Sequence, residues 1–205
     1  MRNVVVNNIV SLDGFYADDG GNPVVLNMDQ TFDAYNLERI KAAGTVLLGR
    51  TSFEGFGNYW PSIADAPADP DNPELSPDNR ELSRVFNRIP KVVVSDSLQV
   101  PPEHPWAGTT TVIPRADAAD WVARERQKND ADIVIFASRT VWNGLLSQGL
   151  VDELHLTISP TVLGTGQPLF LGPASLQLLD VQPFPGSGNV LLRYGPGYAP
   201  TTQAD

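Results

Sequence analysis

Apolar residues in this chain come in short runs cut off by turn formers, a pattern that predicts short strands alternating with amphipathic helices. Residues 4–10, VVVNNIV, predict a first strand buried on both faces or nearly so. Runs at 45–48 (TVLL), 91–94 (KVVV), 111–113 (TVI) and 133–136 (IVIF), and the segment ELHLTIS from Glu153, predict further strands. Elsewhere the apolar residues recur at helical spacing. Phe32, Tyr35, Ile40 and Ala43 predict a helix that Gly44 ends. A turn over 49–52 leads into a short helix from Phe53 to Tyr59, and Leu82, Val85 and Phe86 predict a helix ending near Asn87. Residues 117–128 predict another, capped by Asp117. Val141, Trp142, Leu145 and Leu146 share one helix face directly after IVIF. DGFYADDGGNP and PTVLGTGQPLF read as loops. No helix separates the last two runs, 176–181 and 189–194, so they predict a hairpin across PFPGSG.

Strands alternating with helices through short connections predict an α/β, three-layer fold: a mostly parallel central sheet, helices on both faces and an antiparallel C-terminal hairpin at the edge. One domain over 1–197 and a frayed tail over 198–205 are expected. Residues 61–77, PSIADAPADPDNPELSP, bury little; they read either as a solvated surface loop or as a lid over a site.

Charge and composition narrow the function. At a formal net charge of −10 over 205 residues, neither nucleic acid nor an anionic membrane surface is an expected partner. With no cysteine, disulfides, thiolate catalysis and cysteine-held metals are excluded. The two histidines, in PEHPW and ELHLT, do not form a metal-ligand pattern, so no metal is expected. No run approaches the roughly 18–20 apolar residues of a membrane span, and MRNVVVNNIVSLDG does not read as a signal peptide. A cytoplasmic protein acting on a small molecule is the expectation.

In α/β sheets ligands bind beyond the carboxyl ends of the strands. Here those ends carry SLDG, GRTS, SDS and ASRT. GRTS and ASRT lead straight into helices, and each joins an arginine to small hydroxyl residues, a donor set suited to phosphate. ASRT is unusual for such a loop because it contains no glycine.

On NNIVSLDGFYA, VLLGRTSFEGFGNYWP, NRIPKVVVSDSL and GLVDELHLTISPTVLGTGQPLF, the chain resembles the dihydrofolate reductase-like family over nearly its whole length. The likeness is to the reductase domain of riboflavin-biosynthesis deaminase-reductases and its stand-alone bacterial relatives. It implies an NADPH-dependent reductase that passes hydride to a small cyclic or carbonyl-bearing metabolite, and a homodimer. It also implies roles for single residues. Gly49, Arg50, Thr51 and Ser52 would hold the cofactor phosphates, with Ser95 beside the adenosine ribose and Arg115 at the additional 2′-phosphate. Asn8 and Gly14 would border the nicotinamide, and Ser11, Gly164 and Gly166 the substrate. Ala137, Ser138, Arg139 and Thr140 would form the second phosphate loop, with Ala137-Ser138 where relatives have Gly-Gly or Gly-Ser. The proton source is open between Asp33, sixteen residues before Gly49, and Asp13. The alternative is a nucleotide-binding protein of the same fold without turnover.

Overall fold

The computed structural model describes residues 1–197 except 70, 129 and 130; the tail expected at 198–205 lies outside the described residues. The first strand, β1 (Val4–Ser11), is buried along its whole length. It lies between β6 (Asp132–Phe136) and β7 (Glu153–Ser159), parallel to both. Side chains alternate across a strand, so β1 feeds two cores. Val5 packs with Leu37 and Ile40 of α1 (Gln30–Ala42) and with Leu82 and Phe86 of α3 (Pro77–Arg88). Val4, Val6 and Val10 face the other way, against Val122 of α4 (Ala118–Arg126) and Trp142 and Leu145 of α5 (Arg139–Leu146). Each fully buried residue of this size contributes roughly 1.5–3 kcal/mol.

The sheet has eight strands in the order β5-β4-β3-β6-β1-β7-β10-β9. The remaining members are β3 (Ala43–Gly49), β4 (Lys91–Val94), β5 (Thr110–Ile113), β9 (Leu176–Pro183) and β10 (Val190–Pro196). The strands from β5 to β7 in this order are mutually parallel, and β10 alone runs against its neighbours. The expected architecture is present, including the hairpin at the edge.

Local boundaries depart from the sequence reading in four places. Gly44 does not end α1; it lies inside β3, and α1 stops because Ala43 turns extended. Glycine is needed there for another reason: a Cβ at 44 would come 3.1 Å from the buried guanidinium of Arg2. The second helix, α2 (Arg50–Ile63), begins at Arg50 without a separate turn and continues past Pro61. Packing outweighs the proline: Trp60 stacks on Phe86 with centroids 5.5 Å apart. Asp117 closes a 3-10 turn and makes no side-chain cap bond. Two short strands, β2 (Phe15–Ala17) and β8 (Gln167–Pro168), pair where loops were expected.

The proline-rich segment is held by Arg80 of α3. Its guanidinium donates to the carbonyls of Leu75, Ile63, Ala64, Ala66 and Pro67. On the α1 side of the sheet a buried chain of polar groups runs from Tyr35 through His155 and Glu153 to Arg193. Among the described residues no helix is long and apolar enough to cross a membrane.

Candidate functional site

β3 and β6 are neighbours, and each passes directly into a helix, β3 into α2 and β6 into α5 across Ala137 and Ser138. From β3 the chain goes on to β4 on one side; from β6 it goes on to β7, beyond β1 on the other. Such a divergence opens a crevice at the carboxyl ends of the strands. Neither helix start is capped by a side chain: Gly49 and Ser138 occupy the capping positions and make no cap bond. First-turn N–H groups left without partners carry partial positive charge.

These starts form the floor of a cleft of about 570 Å³. Gly49, Arg50, Thr51 and Ser52 line it from α2, and Ser138, Arg139 and Thr140 from α5. Tyr16 and Gln167 lie at the end nearer β1, and Val94 and Arg115 at the end nearer β5. Three arginines and no carboxylate are among the lining residues of a chain with net charge −10.

The two starts are joined to each other. Ser138 N–H donates to Ser52 Oγ at 3.0 Å, and Gly49 N–H donates to Ser138 Oγ at 3.0 Å. Gly49 permits close approach, because a Cβ there would meet Val141 at 3.2 Å. Asn8, buried on β1, donates to the Ala137 carbonyl at 3.2 Å. These bonds hold Ala137 (φ 48°) and Ser138 (φ 52°) in the left-handed region, at a cost of order 1 kcal/mol each. The alanine therefore adopts the backbone shape that glycine would take more easily. Ser138 lines the cleft, yet its N–H and one oxygen lone pair already hold the loop together. Arg139 donates to the Pro168 carbonyl at 2.7 Å and lies over the Tyr16 ring.

Of the other expected residues, Arg115 lines the cleft and Ser95 does not. Ser95 is buried, and its hydroxyl accepts the N–H groups of Ser97 and Leu98, so it shapes the turn after β4. Ser11, Asp13 and Gly164 form a separate cluster. Ser11 donates to Asp13 at 2.6 Å, and Asp13 also accepts the N–H groups of Leu163 and Gly164. The Ser11 bond and the two backbone bonds hold this exposed carboxyl below its ordinary value, so it keeps no proton to donate at neutral pH. Gly14 turns the chain at φ 92°, and its carbonyl accepts from Leu169. Gly166 allows β2 and β8 to meet, since a Cβ there would lie 2.4 Å from the Ala17 carbonyl.

Asp33 stands apart from the cleft, on α1 against α3. Burial pushes its carboxyl up to about 6, although Asn79 donates to it at 2.9 Å; Asp29, Asp78 and Glu74 push it further up. Tyr16, Gln167 and Thr157 were not singled out from sequence. Thr157 is fully buried on β7, and its hydroxyl has no partner among the described residues. Its only sequence signal was a hydroxyl in an apolar strand. No described residue from 61–77 lines the cleft, which leaves the lid reading without support there.

The chain is 25% identical over 198 residues to the uncharacterized protein YyaP of Bacillus subtilis (strain 168), covering 94% of each. Its fold matches the diaminohydroxyphosphoribosylaminopyrimidine deaminase/5-amino-6-(5-phosphoribosylamino)uracil reductase of Thermotoga maritima, with TM-score 0.62 and 18% identity over 96% of this chain and 57% of that one. It also matches dihydrofolate reductase from Enterococcus faecalis complexed with NADP(H), with TM-score 0.55 and 16% identity over 95% and 96% of the two chains. The strands from β1 to β9 and the cleft at the starts of α2 and α5 lie within residues 2–187, which match the RibD C-terminal domain, and the chain belongs to that family.

Proposed function

We propose that this chain is an NADPH-dependent reductase that passes hydride to a small cyclic or carbonyl-bearing metabolite in the cytoplasm. The observation that carries the reading is the cationic cleft built on two uncapped, mutually joined helix starts in an acidic chain. A pyrophosphate suits this donor set: two helix starts without side-chain caps, and Arg50, Thr51, Arg139 and Thr140, which all line one volume. The relatives' names support a reductase, and one of them a bound NADP(H). When bound, the cofactor supplies the hydride. The protein's part is to orient it and manage a proton. Neither Asp33 nor Asp13 lines the cleft, and the proton source stays open between these two carboxyls and water. The test is a thermal shift with millimolar NADPH, followed by NADPH oxidation over a panel of small carbonyl and cyclic imine compounds. A rise in melting temperature with turnover supports the reading; no shift removes it.

A second copy of the chain is the proposed partner. β9 is an edge strand with Leu178, Leu179 and Val181 each about half exposed, and adjacent positions point to opposite faces. Light scattering giving 22 kDa at micromolar concentration would oppose a dimer.

A further inference from the structure

At the β5 end of the cleft the arginines have acidic company just outside it. β4 runs into Ser95, Asp96 and Ser97, and β5 into Pro114 and Arg115. Asp96 Oδ1 accepts the Arg115 backbone N–H at 2.9 Å, and Asp96 Oδ2 lies 3.5 Å from Arg115 Nε. Arg50 is placed similarly, with Nε donating to Glu54 at 2.8 Å and Nη1 to Ser97 at 3.1 Å. The formal charge of these four side chains sums to zero. Deeper in, Arg139 meets a carbonyl and an aromatic ring and has no ion pair among the described residues. Positive charge is thus left over at Arg139 and balanced at Arg50 and Arg115.

This distribution matters for a dinucleotide. Hydride transfer wants an enclosed end, which places the nicotinamide toward Tyr16, Gln167 and β1 and leaves the adenosine for the open end at Arg115. NADPH differs from NADH there by a 2′-phosphate in place of a hydroxyl. A 2′-phosphate held by Arg115 sits beside the Asp96 carboxylate, a like-charge contact. A 2′-hydroxyl meets no such obstacle and can donate to Asp96, the arrangement by which an acidic residue selects NADH in other α/β proteins.

We infer that Asp96 tempers cofactor choice: by pairing with Arg115 at the rim it narrows the advantage of NADPH over NADH. The inference rests on the proposed dinucleotide site. It does not restate the expectation that Arg115 confers NADPH selectivity; it assigns Arg115 a carboxylate that opposes that selectivity.

The experiment is calorimetric titration of the native chain, Asp96→Asn and the double variant Asp96→Asn/Arg115→Ala with NADPH and with NADH. The carboxylate is largely exposed, so the variants are expected to fold, and unchanged melting temperatures check it. Asp96→Asn should tighten NADPH about tenfold with little gain for NADH, a gain that the double variant loses. Adenosine 2′,5′-bisphosphate against adenosine 5′-monophosphate should show the same shift, since only the first carries the 2′-phosphate. Binding of both dinucleotides with a ratio that ignores residue 96 overturns the inference and leaves the reductase reading standing. Binding of neither overturns both.

Discussion

Beneath α1, Tyr35 donates to His155 Nδ1 at 2.7 Å, His155 Nε2–H donates to Glu153 at 2.8 Å, and Arg193 closes on Glu153 at 2.8 Å. At the cleft the first-turn N–H groups of α2 and α5 lack such closure. Both regions bring polar groups together on the same sheet. In the first, Tyr35, His155 and Glu153 find their complements within the chain, and only Arg193 Nε of this network is left without a partner among the described residues. Burial lowers the His155 pKa and keeps the ring neutral, and it pushes the Tyr35 hydroxyl up to about 12. Burial alone would raise Glu153, but its bonds from His155 and Arg193 outweigh that and hold it low. A closed network of this kind fixes packing and offers a ligand nothing. In the second region the helix starts are left without side-chain caps, and that deficit is what an anion can satisfy.

The sharpest way to break the comparison is to open the closed network. His155→Ala should cost about 3 kcal/mol of stability, because it leaves the Tyr35 hydroxyl and part of Glu153 without partners. Urea unfolding measures this, and the NADPH dissociation constant should stay within about twofold of native if the two regions are independent. A large loss of affinity would join them.

Asp33 lies between the two kinds: half-buried, with Asn79 as its only hydrogen-bond donor in the described structure. Its folded pKa of about 6 exceeds the ordinary 3.8, so the folded chain binds more protons between those values. Stability should therefore fall as pH rises through that window, by up to about 3 kcal/mol. Asp33→Asn should flatten the decline and raise stability above pH 6 by about 2 kcal/mol, read from urea midpoints on either side of the window. If Asp33 supplies the proton, native kcat/KM declines above about pH 6 and the variant loses that limb.

Arg50→Ala sharpens the other half of the comparison. Removing one guanidinium from the cleft should weaken NADPH roughly tenfold, about 1.4 kcal/mol. Stability should change by less than about 0.5 kcal/mol, since the pair with Glu54 is exposed. The smallest effect expected is Ala137→Gly, which should stabilise the chain by up to about 1 kcal/mol by relieving the left-handed backbone. A thermal melt checks it, and loss of stability would show that the loop's rigidity matters more than its strain.

What was legible in sequence follows the same division. The runs VVVNNIV, KVVV and IVIF gave the strands because burial on both faces selects β-branched residues directly. The GRTS and ASRT helix starts were legible because a strand–turn–helix boundary is local. What escaped depended on distant partners. Gly44 could not be understood without Arg2, nor the pKa of Asp33 without Asn79 on another helix. That the Ser95 hydroxyl holds its own turn also shows only in the folded chain. The β2–β8 pair is too short to show a period, and the positive φ of Ala137 and Ser138 contradicts local preference, so only tertiary bonds reveal it.

Arg80 carries a consequence for how this chain can change over generations. Its guanidinium grips carbonyls at Ile63, Ala64, Ala66, Pro67 and Leu75, and every amino acid has a carbonyl. Arg80 itself reads none of the intervening side chains. Substitutions at the exposed positions 65, 67, 68 and 71 should therefore accumulate freely in descendants of this sequence, while position 80 resists replacement even by lysine, whose point charge cannot span so many acceptors at once.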